Sequence, residues 1–277
     1  MSPHDGARAA EDWLTLRRAA DSQARDRGAS GLLELLMQHL EAHGAHAVVV
    51  VDVGAGTGAN RAYLQARLPW PQRWVVVDVD PRHLEHPDHG DATRVEAEVA
   101  TVGHLLADLA ARETDPVVLT CAALLDVLPT AELEALAGAV LRHRVPALLS
   151  LTVTGHVELE PADPDDDLVR RLFDDHQRRR ACAGPEAAAV LTALLEAGGA
   201  RVRSAPTPWV LDADRSHLLR RWLDERLAAA VEQAIASPDP ADHLRALTAW
   251  HRRRRVQLDS GGLAARVHHV DLLVLPD

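Results

Sequence analysis

The sequence predicts a doubly wound α/β fold with a mostly parallel, seven-stranded sheet. Three observations carry that expectation. Apolar runs and stretches of helical periodicity alternate five times between residues 45 and 155. Such alternation is accommodated by a parallel sheet with helices on both faces. The first apolar run, "AHAVVVVDV" (45–53), shows no polar alternation, as expected of a central strand buried on both sides. A glycine loop, Gly54, Gly56 and Gly58, stands between that run and the next helix.

The elements follow in order. Residues 9–42 read as helices: "EDWLTLRRAADSQARD", then "GLLELLMQHLEAHG" with a glycine stop. After the first strand and the glycine loop, "GANRAYLQARLP" is a helix closed by Pro69 and Pro71. "RWVVVDVDP" (73–81) is a second buried strand, and "ATRVEAEVA" (92–100) a third, alternating one. "TVGHLLADLAARE" is a helix and "DPVVLTCA" (115–122) the fourth strand. "TAELEALAGAVLRHR" is a helix capped at Thr130, with Glu132 and Glu134 in its first turn. "PALLSLTVTG" (146–155) is the fifth strand. A Pro/Asp-rich passage leads to two more helices, a strand-like stretch at 200–211, a helical segment at 214–257, and a final strand at 265–276. The expected organisation is an N-terminal helical cap (1–44), a core (45–213), a helical insertion (214–257) and a last core strand (258–277).

Composition narrows the function. Net charge is −11, which argues against a general nucleic-acid or anionic-membrane surface. Every basic side chain apart from histidine is Arg, a hint of a GC-rich bacterial genome, and the absence of Lys excludes a Lys nucleophile or Schiff base. "HQRRR" (176–180) and "HRRRR" (251–255) read as solvated helix faces or local ion pairs. Two cysteines make no disulfide framework, and no apolar run reaches the ~18 residues of a membrane span. With no apolar leader at the N-terminus, the expected setting is cytoplasmic and soluble. Among the sixteen His, the clusters at 83–89 and 268–269 match no metal-ligand spacing, and no metal is expected.

The glycine loop alone is ambiguous, since "GAGTGA" also satisfies the dinucleotide pattern GxGxxA. Asp52 breaks the tie. A carboxylate at the end of the strand raises the cost of placing a pyrophosphate there, whereas S-adenosylmethionine (SAM) carries a cationic sulfonium and ammonium and no phosphate. With these residues in view, "VVDVGAGTGAN" resembles motif I of the class I SAM-dependent methyltransferases, and "WVVVDVDP" their second motif. The resemblance covers about residues 45–155.

It implies a cofactor site made of Asp52, Gly54, Ala55, Gly56, Gly58 and Asn60, with Asp78 on the ribose hydroxyls and Val79 beside the adenine. Glu98, or alternatively Asp91, would accept from the adenine amine. Cys121, with Thr120 and Ala122, would line the methionine part, and an Arg of the first helix, Arg17 or Arg25, would pair with its carboxylate. Asp126 and His156, placed after the fourth and fifth strands, and His176 on a later helix are the candidate groups for the methyl acceptor, with His156 as the candidate base. The acceptor is expected to be a small organic molecule, such as a secondary metabolite, methylated on O or N, with segment 214–257 over its site. Leu/Trp-rich helices at both ends suit a homodimer interface or a cover for the core. Two other readings stay open: an NAD(P)-dependent oxidoreductase built on the same loop, and a non-catalytic SAM-binding partner protein.

Overall fold

The structure is a computed structural model and describes residues 11–276; residues 9 and 10 of the expected first helix lie outside them. The chain begins with two helices, α1 (Glu11–Gly28) and α2 (Ser30–Ala42), followed by β1 (Val48–Val53), α3 (Ala59–Gln65), β2 (Gln72–Asp78), the short α4 (Pro81–Leu84) and β3 (Thr93–Glu96). It continues through α5 (Val102–Arg112), β4 (Val117–Ala122), α6 (Thr130–His143), β5 (Ala147–Glu160), α7 (Asp166–Gln177) and α8 (Ala187–Ala197). It closes with β6 (Arg201–Pro206), β7 (Trp209–Leu211), α9 (Ser216–Ile235), α10 (Pro240–Asp259) and β8 (Ala264–Leu275).

The sheet runs β3-β2-β1-β4-β5-β8-β6, and β7 also pairs with β8. The pairings from β3 to β5 are parallel, and β8 is antiparallel to both β5 and β6. The doubly wound expectation therefore holds, with one refinement. The stretch 200–211 is not one strand. It breaks at Thr207 and Pro208, where proline has no N–H for the ladder, and Thr207 N–H keeps one rung by donating to the His269 carbonyl at 2.9 Å.

Strand parity distributes the core. Val49, Val51 and Val53 pack with α5, α6 and α8 on one face, while Val48 and Val50 pack with α2 and α3 on the other. Asp52 continues the even row, so its carboxylate enters the α3 side of the sheet. A third cluster joins α1, α7, α9 and α10 around Trp209, Trp222 and Trp250. The first helix is set tightly against this edge: a Cβ at Gly28 would lie 2.0 Å from the Pro206 carbonyl oxygen. Only glycine allows that approach.

The fifth strand is longer than its apolar run suggests. It extends to Glu160, with register shifts after Leu149 and after Val153. The run "HRRRR" is not a solvated face as a whole. Arg253 pairs with Asp163 and Asp165, and Arg254 with Asp166, joining the basic run to the acidic passage before α7.

Candidate active site

A cavity of about 190 Å³ opens at the carboxyl ends of β1, β2 and β4, where ligands of open α/β sheets lie. Val53 to Thr57, Ala59 and Asn60 form its floor, Asp78 to Asp80, His83, Ala97 and Val99 one wall, and Ala122 to Leu124 with Val127 to Pro129 another. Leu14, Arg17 and Asp21 of α1 lie over the glycine loop.

The loop glycines adopt a conformation that other residues avoid. Gly54, Gly56 and Gly58 have φ of +65°, +52° and +79°. Gly54 also has no room for a side chain, since a Cβ would meet Leu124 Cδ1 at 2.9 Å. Asp78 fixes the loop to β2. Its Oδ2 accepts from the Gly56 N–H at 2.8 Å and its Oδ1 from the Asp80 N–H at 2.9 Å. An ionised carboxylate has about four acceptor positions, so Asp78 is held rigidly and retains capacity toward the cavity it lines. From behind, fully buried His89 braces the same loop, its Nε2 lying 3.0 Å from the Gly56 carbonyl and 3.1 Å from that of His83.

Beneath the floor runs a buried polar chain. Asn60 Nδ2 donates to Asp52 Oδ1 at 2.6 Å and to Thr120 Oγ1 at 3.1 Å, and Asn60 Oδ1 accepts from Arg25 at 2.9 Å. Arg25 stacks on Tyr63 at 3.8 Å and has Asp271 at 3.7 Å. Burial pushes the Asp52 carboxyl up to about 7, against the Asn60 hydrogen bond and the Arg25 charge, which pull it down. Burial likewise lowers the pKa of Arg25, with Asp271 opposing.

The expected cofactor residues divide. Gly54, Ala55, Gly56, Asn60, Asp78 and Val79 line the cavity. Five others do not. Gly58 starts α3 just behind the loop. Asp52 is fully buried one layer below and does not line the cavity, so the expected direct contact with a bound cation is not offered from there. Arg25 is spent on Asn60 and Asp271; Arg17, the other helix candidate, faces the cavity, paired with Asp21 at 2.8 Å. Cys121 points into the core with Val51 and Leu119, where burial raises its pKa; Ala122 and Ala123 line the wall instead. Glu98 is exposed between Ala97 and Val99, which do line the cavity, because neighbours on an extended segment face opposite ways. Its alternative, Asp91, is engaged by Arg61 at 2.7 Å outside the cavity.

The three expected acceptor-side groups are also corrected, for none lines the cavity. His156 lies on the exposed continuation of β5, its Nε2 3.4 Å from Glu158. His176 reaches Glu232 at 3.1 Å on the outer side of α7. Asp126 sits on a 3-10 turn that directs it inward, where Gln177 donates to it at 3.2 Å and burial pushes it up to about 6. Its neighbours Val127 and Leu128 face the cavity. Residues 214–257 contribute nothing to the lining either; Trp222 and Trp250 are core residues of the third cluster.

No family model matches the chain, and no curated protein matches it. Solved structures do. A cyclopropane-fatty-acyl-phospholipid synthase-like protein from Lactobacillus casei is similar over 94% of this chain and 92% of its own, at 12% identity and a TM-score of 0.50. A cyclopropane synthase from Mycobacterium tuberculosis is similar over 87% and 82%, at 12% identity and a TM-score of 0.43. A geranyl diphosphate C-methyltransferase from Streptomyces coelicolor is similar over 88% and 80%, at 10% identity and a TM-score of 0.39. The chain has the class I methyltransferase fold.

Several cavity residues carried no signal in the sequence. Leu14 and Leu124 close on the loop from opposite sides. His83 lies 3.4 Å from Asp78 Oδ1. Arg180 lines the far end beside Glu132 and Cys182, with φ of +57°. It belongs to the "HQRRR" run, whose other arginines pair with Glu186 and Glu232. No ion-pair partner for Arg180 occurs among the described residues. No described helix is long and apolar enough to cross a membrane.

Proposed function

We propose that this chain is a SAM-dependent methyltransferase acting on an O or N atom of a small organic acceptor. One observation carries the reading above the others: Asp78 lines the cavity as a carboxylate pinned by two backbone amides at the end of β2, beside three glycines of positive φ. A fixed carboxylate with spare acceptor capacity suits a vicinal diol such as a ribose, and bare backbone at the loop suits a bulky ligand pressed close. Asp52 beneath the floor favours a cationic ligand over a phosphate there. Among the described residues the cavity arginine near the loop, Arg17, is paired with Asp21, which leaves no uncommitted arginine there for the pyrophosphate of the dinucleotide reading.

SAM would supply an electrophilic methyl with a neutral leaving group. What this chain contributes is position. Asp78, the loop amides and Asn60 would hold the nucleoside and amino-acid ends, and α1 would keep water out through Leu14. The acceptor would occupy the end bounded by Leu124, Val127, Leu128 and Pro129. Those walls are apolar, and Arg180 and Glu132 stand at their rim. An acceptor with an apolar body and a polar group fits that distribution. Orientation of this kind can supply several kcal/mol of rate acceleration without acid–base help. An amine acceptor needs no base from the protein before transfer. A hydroxyl acceptor would deliver its proton toward His83 or Glu132, two of the titratable groups that line the cavity, and not toward His156 or His176.

The test is calorimetric titration of the purified chain with SAM, S-adenosylhomocysteine and NAD(P)H. Micromolar binding of both adenosyl ligands without the nicotinamides is expected. Binding of the nicotinamides alone would overturn the reading. Binding of SAM without turnover across an acceptor panel that spans amines, hydroxyls and carboxylates would move it to the partner-protein alternative.

A further inference from the structure

Away from the cavity, β5 and β8 bring three side chains to one exposed patch. His156 and Glu158 are two residues apart on β5 and so share a face. The antiparallel ladder pairs Val157 with Val267 and Glu158 with Arg266, and His156 and His268 are the residues next to the first of these pairs, where the register shifts. The imidazole rings lie 4.4 Å apart between centroids. Their Nε2 atoms both approach one carboxylate oxygen: His268 Nε2 is 2.7 Å and His156 Nε2 is 3.4 Å from Glu158 Oε1. All three donor atoms lie within 4.8 Å of one another.

We propose that His156, Glu158 and His268 form a binding site for a divalent transition-metal ion of the zinc class. Tetrahedral zinc with bonds of ~2.0–2.1 Å to nitrogen and oxygen separates its ligand atoms by about 3.3 Å. The two separations to Glu158 Oε1 bracket that value, so small side-chain rotations, without backbone movement, complete three ligands. Two neutral imidazoles and a carboxylate with an open fourth position suit zinc, cobalt, nickel or copper, and not magnesium or calcium, which prefer oxygen alone. The patch is exposed, with the His156 side chain 61% accessible, so water reaches the fourth position. Arg266 at 4.0 Å from Glu158 opposes the added charge and holds the site to moderate affinity. A bound ion would tie β5 to β8 where the ladder shifts register between Val153 and Val157. It would therefore clip the strand extension from which the chain enters α7. In the sequence His268 stands out only beside His269, a pair without metal-ligand spacing from which no metal is expected, because His156 is far away in the chain and meets His268 only through the two strands.

The experiment is titration of the full chain, free of any histidine tag, with Co(II), read by visible d–d absorption, followed by Zn(II) competition. One equivalent is expected, with the intense bands of low coordination number, displaced by zinc, at a Kd in the micromolar range. His156→Ala and His268→Ala should each weaken binding at least tenfold, and the thermal midpoint rise seen with zinc should vanish in both. His268→Gln serves if the alanine variant does not fold. The chain holds another close His pair, His39 on α2 and His43 just past its end, with centroids 4.2 Å apart; His43→Ala should change nothing. Wild-type chain that binds no ion, or binds it 100-fold more weakly than expected, overturns the proposal, as does binding that survives both His156→Ala and His268→Ala.

Discussion

The sheet has two ends that treat charge in opposite ways. Around β1, β2 and β4, polar groups line open space: the loop backbone and Asp78, above the buried Asn60 and the raised Asp52 carboxyl. Around α7, α9 and α10 the charges close on each other. Arg254, fully buried, donates to both oxygens of Asp166 at 2.5 Å and to the Pro161 carbonyl at 2.6 Å, and Trp250 donates to the same carboxylate at 2.7 Å. Arg226, also buried, stacks on Phe173 at 4.3 Å and stands in the field of Asp174. Charges that find partners inside the fold hold it together, while charges kept without them at a strand end are available to a ligand. By this measure the arginine-rich insertion is structural, and the glycine-loop end is where binding should reside.

The largest expected effect tests the structural end. Arg254→Ala leaves Asp166 short of its main cation, takes the donor from the Pro161 carbonyl and empties the space of a fully enclosed side chain. Removing one partner of a buried pair costs about 3–5 kcal/mol, and water at the 27% accessible Asp166 side chain puts this loss at the lower end. Urea denaturation should report a loss of that size, with SAM affinity unchanged in whatever fraction stays folded. A loss below about 1 kcal/mol would mean that water screens this pair as it does an exposed one and that the contrast between the two ends is false.

Next in size is Asp78→Ala. Loss of the hydroxyl contacts proposed for it, each worth about 1 kcal/mol or more, should weaken SAM binding 10- to 100-fold by calorimetry. The variant also frees the Gly56 and Asp80 amides, so Asp78→Asn is the better control: it keeps an acceptor for one of them. Unchanged affinity in a folded Asp78→Ala protein would remove this carboxylate from the site.

The pH dependence of Asp52 is the third prediction. Its folded pKa, about 7, lies above the ordinary carboxylate value because of burial. A raised acid contributes stability in full below its unfolded pKa near 4, and that contribution is lost as pH rises through 7. Asp52→Asn keeps the hydrogen bond from Asn60 and removes the ionisation. Its thermal midpoint relative to wild type should therefore be higher at pH 8 than at pH 4.5. The same change should cost SAM affinity at pH 8, where wild-type Asp52 carries its charge. A stability difference independent of pH would show that Asp52 stays in one protonation state throughout.

How much of this was legible beforehand follows from distance along the chain. The fold was readable because each buried strand is a continuous apolar run and each helix has its own periodicity. Gly54, Gly56 and Asp78 were readable for a related reason: strand, loop and second strand lie within thirty residues, and strand ends in a parallel sheet fall side by side. What failed was side-chain direction. The fourth strand was placed correctly, yet Cys121 faces the core while Ala122 and Ala123 line the cavity. Glu98 misses the cavity by one position for the same reason of alternation. His156 was assigned to a strand end that the chain does not have, because β5 runs on past a bulge to Glu160. Arg25 was placed on the right helix, but its partner Asp271 lies at the far end of the chain, beyond any local pattern.

The smallest effect sharpens the comparison from within the structural end. Arg253 makes more carboxylate contacts than its neighbour Arg254, which reaches only the two oxygens of Asp166: Nε to Asp163 at 2.6 Å, and NH2 to Asp163 and Asp165 at 2.7 Å each. A count of ion pairs would rank Arg253 first. Their surroundings differ. The Arg253 side chain is 39% accessible where that of Arg254 is fully enclosed. Asp163 moreover keeps a second donor, the Asp165 N–H at 3.0 Å, when Arg253 is removed. The Asp163 side chain itself is only 4% accessible, but with that donor kept the open arginine side sets the scale, and pairs open to water are worth about 0.2–1 kcal/mol, screened further by salt. Arg253→Ala should therefore lose under 1 kcal/mol in urea, with the difference shrinking in 0.5 M salt, while the Arg254→Ala loss should be nearly salt-independent. If both variants lose the same amount, it is the number of contacts with the acidic passage that holds α10 in place, and the enclosure of Arg254 adds nothing to it.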